Sequence, residues 1–379
     1  MRELLVALTA IGALIDNGTR SGGAPAELTL ELPEVSRRRS GMRRMVAASG
    51  LVMLVACSAG PTTDGASGTG SPGATVPTAT QPVVFPSASG PRISIRSMEG
   101  KLVLSDETND IWSMRADGTE VRRLTSTPAM EFDPTWSPDG SRIAYRHQTG
   151  DDETTEIFVM DADGSDQRNL TRNDVADWGP AWSPDGSSIA FNSAMGTAGL
   201  GLLGYTVSPS GSRPHRFSRH YVEYPAWSPD GSRIAFMAQE PGAAGSNPDY
   251  NVFVMNADGS DIRRLTRTPG EDGWPAWSPD GSWIVFSSAR DDCSISDAPD
   301  CRTTGDIGPW QDVWIMNAHG GQQRRVTSEF GQLFSWSPNG SAILVAGADE
   351  MYLIRPDGSG LTPFPVEGVP HPLFPDWID

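Results

Sequence analysis

The run Trp136-Ser137-Pro138-Asp139-Gly140 constrains the fold of this chain more than any other feature, because it comes back almost unchanged. It recurs at Trp182 to Gly186, Trp227 to Gly231 and Trp277 to Gly281, and once more at Trp336 to Gly340 with Asn339 in place of Asp. Each copy is written for a tight turn. Pro presets φ at the second turn position, Asp bonds nearby backbone N–H groups, and Gly takes the left-handed conformation that follows. Short runs of branched and aromatic residues come next, such as Arg142-Ile143-Ala144-Tyr145 and Arg233-Ile234-Ala235-Phe236. Strand, turn and strand make a hairpin, repeated along the chain.

A second signature keeps step with the first. Ile157 to Gly164 followed by Arg168-Asn169-Leu170-Thr171 reappears as Val252 to Gly259 with Arg263 to Thr266, and as Val313 to Gly320 with Arg324 to Thr327. It also stands before the first Trp motif, at Ile111 to Gly118 with Arg122 to Thr125. Each period therefore holds four strands, A (ending in the Trp) to D, with an SPDG turn between A and B and an ADG turn between C and D. Four strands in a period of roughly 40 to 60 residues read as the blade of an all-β propeller. Val252-Phe253-Val254-Met255 shows no polar alternation, as expected of a strand covered on both faces by neighbouring blades.

Counting gives six blades. Blade one spans about residues 93–125, blade two 132–171, blade three 179–217, blade four 224–266, blade five 274–327 and blade six 334–364, within a propeller domain of residues 92–379. Blade one has no Trp strand of its own, while Phe374-Pro375-Asp376-Trp377 at the far end matches Asp133-Pro134-Thr135-Trp136. The C-terminal strand is expected to complete blade one and close the ring.

The segment before the repeats divides in three. Residues 1–41 fit nothing that follows and read as a mis-assigned or disordered extension, with translation starting at Met42 or Met45. Residues 42–57 carry a positive start (Arg43, Arg44), a short apolar run and Leu54-Val55-Ala56-Cys57, the pattern of a lipoprotein signal peptide with its lipobox. Cys57 is then either the diacylated N-terminus or an incidental residue of an ordinary cleaved signal. Gly, Ser, Thr, Ala and Pro dominate residues 58–91, which cannot bury a core and read as a disordered tether reaching on the order of 30 Å. The expected location is the bacterial cell envelope, on the periplasmic or extracellular face of a membrane, held by the lipid alone.

A formal net charge of −18 and a pI near 4.6 argue against nucleic acid, which needs a basic footprint. Catalysis finds little support. The five histidines (His147, His215, His220, His319, His371) fall in no metal spacing, and no GxSxG elbow is present. No cofactor is expected, and calcium at the acidic loop residues Asp151, Asp152, Asp291 and Asp292 is left open. Cys293 and Cys301, in the longest insertion, are expected to form a disulfide outside the cytoplasm, with a redox or metal pair as the alternative that the lack of a CxxC spacing weakens.

Strand direction puts the SPDG and ADG turns on one face of the disc and the B–C and D–A loops on the other. Long insertions gather on the second face, at residues 147–156, 239–250 and 287–311. Binding is expected there. The candidate partner-binding residues are His147, Trp178, His220, Tyr221, Tyr224, Trp274, Arg290 and Trp310, for a protein, a peptide or a glycan. Aromatics ahead of strand A (Phe132, Trp178, Tyr224, Trp274, Phe334, Phe374) either plug the spaces between blades or form an exposed stacking rim.

The pairing of Pro225 to Phe236 with Val252 to Thr266 resembles the TolB-type six-bladed propeller repeats of bacterial envelope proteins. The resemblance covers about residues 93–379. It implies a non-catalytic, monomeric binding platform for protein partners at the envelope. Pectin-degrading lyases share similar repeats, so an envelope enzyme of polysaccharide-lyase type using the funnel is the alternative. A role with the Tol-Pal system is not implied, because a low-complexity tether stands where TolB carries a folded α/β domain.

Overall fold

The computed structural model describes residues 90–148, 154–196, 202–239, 250–268, 270–290, 311–328, 331, 333–347 and 350–379. Cys57, Cys293, Cys301, Trp310, the acidic pairs Asp151/Asp152 and Asp291/Asp292, and all of residues 1–89 lie outside them. No helix among the described residues is long and apolar enough to cross a membrane.

Six four-stranded antiparallel sheets make up the fold. In chain order, β1 (Lys101–Ser105), β2 (Ile111–Arg115) and β3 (Arg122–Arg123) begin blade one. Blade two is β4 (Met130–Trp136), β5 (Arg142–Gln148), β6 (Glu156–Asp161) and β7 (Arg168–Asn169). Blade three is β8 (Asp177–Trp182), β9 (Ile189–Ser193), β10 (Leu203–Val207) and β11 (His215–Tyr221). Blade four is β12 (Glu223–Trp227), β13 (Arg233–Gln239), β14 (Tyr250–Asn256) and β15 (Arg263–Arg264). Blade five is β16 (Asp272–Trp277), β17 (Trp283–Ser288), β18 (Asp312–Asn317) and β19 (Arg324–Thr327). Blade six is β20 (Leu333–Trp336), β21 (Ile343–Ala346), β22 (Met351–Ile354) and β23 (Thr362–Phe364), and β24 (Leu373–Ile378) returns to pair with β1.

That return is the expected closure. Leu102 pairs with Trp377 and Val103 with Asp376. The six Trp-bearing strands touch one another in sequence, β24 on β4, β4 on β8, β8 on β12, β12 on β16, β16 on β20 and β20 on β24, so the ring is complete. The half-buried Asp376 carboxylate accepts from the Trp136 amide at 2.7 Å and the Thr135 hydroxyl at 3.1 Å, fastening the last strand to blade two.

Six hydrophobic clusters fill the six spaces between blades. Ala144, Ile157 and Val159 of blade two, for instance, meet Trp182, Ile189 and Phe191 of blade three, and the other five clusters serve the remaining seams. Central strands are thus buried on both faces, which is why their sequences lack alternation. Three of the repeat tryptophans also staple their seams. The indole N–H of Trp182 donates to Thr135 O, that of Trp277 to Ala226 O and that of Trp336 to Ala276 O, each at 3.2 Å. In every case the acceptor is the residue just before the Trp of the preceding blade.

The turns follow their sequence closely. In the first, Ser137 Oγ and Ser141 N–H both donate to Asp139 Oδ1, and Arg142 N–H donates to Ser137 Oγ. Gly140 sits at φ 65°, where a Cβ would be strained.

The inner strands start earlier than the sequence reading placed them, and the loops are correspondingly shorter. His147 belongs to β5, and His220 and Tyr221 to β11, where loops were expected. A bulge accounts for the longer inner strands. Five of the six carry Pro two residues before the Trp, and the residue ahead of that Pro has positive φ: Asp133 50°, Gly179 59°, Tyr224 46°, Trp274 48° and Phe374 50°. Pairing with the second strand shifts register at the same place in each. Pro offers no N–H, so the ladder breaks, the strand bulges and pairing resumes beyond. Blade six has Phe334 in the Pro position, and its ladder runs without a shift.

Candidate partner-binding mouth

Bulging brings the residue three before the Trp toward its counterpart in the next blade, as blades three to five show. Tyr224 and Trp274 meet with ring centroids 5.7 Å apart. A Cβ on Gly179 would stand 3.4 Å from Tyr224 Cα, so the glycine leaves room for that backbone. Burial raises the Tyr224 phenol above its ordinary range, and the Asp133 carboxylate of blade two adds to the effect. Asp133 is buried and faces Arg146 Nε at 3.4 Å, while the Arg146 guanidinium lies 4.4 Å from the Phe132 ring centre. Phe334 is buried between blades. The six aromatics therefore do not occupy equivalent positions: Tyr224, Trp274 and Phe374 stand on bulges, Phe132 and Trp178 one residue earlier, and Phe334 in a seam.

Beyond the bulge the inner strands reach the loop-side mouth, where acids gather. Glu131, Asp177 and Asp272 occupy the position five residues before the Trp in blades two, three and five, and none of the three is exposed at all. Two of them face a nitrogen-bearing side chain of their own blade. His147 Nδ1 lies 3.4 Å from Glu131, with the imidazole 4.3 Å from the Phe158 ring, and Arg290 Nη2 lies 3.0 Å from Asp272. Arg290 also covers Trp314 at 4.3 Å and donates to Ser288 and Gln323, so its side chain braces the blade from within.

Among the described residues no arginine or histidine pairs with Asp177. Asn173 donates to its Oδ2 at 2.7 Å, but burial pushes its carboxyl up to about 6, and neighbouring Glu156 adds to the rise. Glu156 is itself raised by burial. The repeat explains why. In blades one, four and five the second residue of the D strand is an arginine that caps the residue leading strand C: Arg123 on Asp110, Arg264 on Asn251 at 2.8 Å and Arg325 on Asp312 at 3.0 Å. Blade two has Asn169 there, and Glu156 is held instead by the Thr171 hydroxyl and the Asn173 amide.

A second uncapped acid sits in blade four. Glu223 accepts from the Tyr250 hydroxyl at 3.1 Å, and burial pushes it up to about 7, with Glu271 of the next blade contributing. Burial likewise raises Glu271. Tyr221 packs beside this group, its phenol pushed up to about 12 by burial and by Glu223.

The residues picked out in sequence are thus distributed rather than convergent. Trp178, Tyr224 and Trp274 lie on inner strands, His147 on a second strand, and Tyr221 and the exposed His220 on β11, the outermost strand of blade three. His220 N–H bonds Ser218 Oγ within an irregularity of that strand, away from the inner ring. Among the described residues no group of three or more His, Cys, Asp or Glu is placed to hold a metal. Glu156, Glu223, Glu271 and Tyr250 were not among the residues singled out. The missing arginine at Asn169 was the one sign of the first, and the rest depend on which side chains the bulge brings indoors.

Comparison with known proteins adds to the geometry. Residues 95–220 match the Tricorn protease N-terminal β-propeller domain, and residues 211–294 match the TolB β-propeller domain. The crystal structure of TolB from Acinetobacter baumannii aligns with a TM-score of 0.58 at 20% identity, over 73% of this chain and 66% of that one. The chain carries a TolB-type six-bladed β-propeller. A protein assigned as TolB from Agrobacterium tumefaciens aligns with a TM-score of 0.53 at 20% identity, over 70% of this chain and 88% of its own. The TolB-type ring also aligns with a chain from a nidogen/laminin complex, at 11% identity and a TM-score of 0.55, over 74% and 99% of the two chains. At these identities the likeness is one of fold. No curated protein matches the chain in sequence.

Proposed function

We propose that this TolB-type propeller is an exported, envelope-located, non-catalytic binding module that captures a protein partner through a cationic segment at its loop-side mouth. The observation that carries this reading is the pair of uncapped carboxylate groups there, Asp177 with Glu156 and Glu223 with Glu271, beside the partly exposed rings of Trp178 and Trp274. A Lys or Arg side chain brought to these acids would supply the charge that Arg290 supplies to Asp272, and the rings offer cation–π faces. The TolB-type relatives and the propeller aligned from a nidogen/laminin complex support a protein as the partner. Anchoring through a lipid on Cys57 belongs to the same proposal and is tested by intact mass of the mature chain, which should begin at a diacylated Cys57.

Capture of envelope proteins by the ring tests the mouth. Replacing Asp177 by Asn and Glu223 by Gln together should weaken capture about tenfold or more. Capture should also fall as pH drops from 8 to 5, because the two carboxylates take up protons near 6 and 7 and lose their attraction. Capture indifferent both to the double substitution and to pH would move the site elsewhere.

A further inference from the structure

On the opposite face, one groove of about 450 Å³ between blades five and six is lined by Pro279, Trp283, Trp336, Pro338, Asn339 and Pro356. Three of these break the repeat. Trp283 stands where blades two and four have Arg142 and Arg233, which lie 5.3 and 4.6 Å from the next blade's Trp ring. Asn339 stands where the other four SPDG turns have Asp, and Pro356 where blades one, two, four and five have Ala. An arginine cover has become an indole, an anion has become an amide and a methyl has become a pyrrolidine ring. Asn339 still closes its turn, accepting from Ser337 Oγ and Ser341 N–H at 2.9 Å, so its Nδ2 adds a donor that Asp lacks. Tryptophan and proline walls with a side-chain donor are the chemistry that receives an extended, proline-rich segment.

This chain supplies such a segment close by. Gly90 packs against Ser359, and Arg355 donates to Pro91 O at 2.9 Å, so the chain joins the ring along the turn that contributes Pro356. Four residues before Gly90 comes Pro86, a distance an extended chain covers in about 13 Å. Pro82, Val83, Val84, Phe85 and Pro86 form the apolar run of a segment otherwise rich in Gly, Ser, Thr and Ala. We propose that residues 82–86 dock in the blade five–six groove, with Phe85 against Trp283. Tethering at so short a range gives an effective concentration of about millimolar, so a shallow groove is enough to hold the segment. Docked there, the segment leaves the mouth on the other face free.

The test uses the full chain with benzoylphenylalanine in place of Phe85, irradiated in dilute solution and mapped by mass spectrometry. Crosslinks within one molecule should fall on residues 279–283 and 336–340. Trp283→Arg, which restores the repeat residue, should cut their yield about fivefold or more while leaving the thermal midpoint near that of the parent. Should that variant unfold, Asn339→Asp serves in its place and should also lower the yield. Crosslinks on other surfaces, crosslinks only between two copies, or a yield that neither substitution changes would overturn the proposal.

Discussion

At the scale of residues, the repeat tryptophan does two things at once. Trp182 fills the seam between blades two and three, 7% exposed, and its N–H ties that seam to Thr135 O. Trp182→Ala should cost about 3–5 kcal/mol, most of it cavity, and Trp182→Phe, which keeps part of the volume and loses the hydrogen bond, about 1–2 kcal/mol. Chemical denaturation of the two variants separates these contributions, and equal losses would mean that the bond rather than the volume holds the seam. Glu223 acts with the opposite sign. Its carboxyl is raised toward 7, so ionisation is resisted in the fold and stability declines as pH climbs from about 4.5 through 7. Glu223→Gln should therefore raise stability at pH 8 by about 1–3 kcal/mol and leave it nearly unchanged at pH 4.5. Thermal melts at the two pH values check this.

At the scale of elements, β24 is the strand on which closure depends. It gives blade one its inner strand, contacts both neighbouring inner strands, and is bonded from Trp377 N–H to Ser335 Oγ at 2.9 Å and from Trp377 Nε1 to Glu99 O at 2.9 Å. Removing residues 370–379 exposes the edge of β1 and opens the clusters on both sides of blade one. The truncated ring should lose its single cooperative melting transition and associate in gel filtration. A monomer with an unchanged melt would show that five inner strands and an open gap suffice. The bulges belong to this scale too. Pro134, Pro180, Pro225, Pro275 and Pro375 stand two residues ahead of five of the six tryptophans. Their effect of lengthening the inner strands and aligning Tyr224 with Trp274 depends on the partner strand carrying on past the break.

For the molecule as a whole, two sets of carboxylates set the response to pH in opposite directions. The exposed turn acids Asp139, Asp185 and Asp230 are held at about 2 by the serine hydroxyls and amides of their own turns, and Asp280 is lowered in the same way. Their contribution is complete above the unfolded value near 4 and fades as pH falls through 2. Asp177 and Glu223, raised by burial, oppose folding as they ionise between about 4 and 7. A net charge of −18 adds self-repulsion at the alkaline end. Thermal midpoints measured from pH 2.5 to 8 should peak near pH 4 to 5 and fall on both sides. A maximum above pH 7 would show that the buried acids are solvated or paired in solution.

The sequence by itself determined the number of blades, their turns and the closing role of Trp377. Those features rest on local chemistry, a turn of Pro, Asp and Gly beside a run of branched residues, which returns in recognisable form however much the loops between the copies vary in length. Only the tertiary structure decided which polar groups meet. Arg290 and His147 read alike as candidates along the chain, yet Arg290 is taken up by Asp272 and His147 lies against Glu131, while Asp177 accepts from the Asn173 amide. Likewise Trp283, Asn339 and Pro356 are minor departures in three separate motifs until neighbouring blades bring them to one groove. The physical reason is the same in both cases: a turn is closed by residues a few positions apart, whereas burial, charge compensation and groove shape are set by side chains from different blades, whose contacts exist only after the ring has closed.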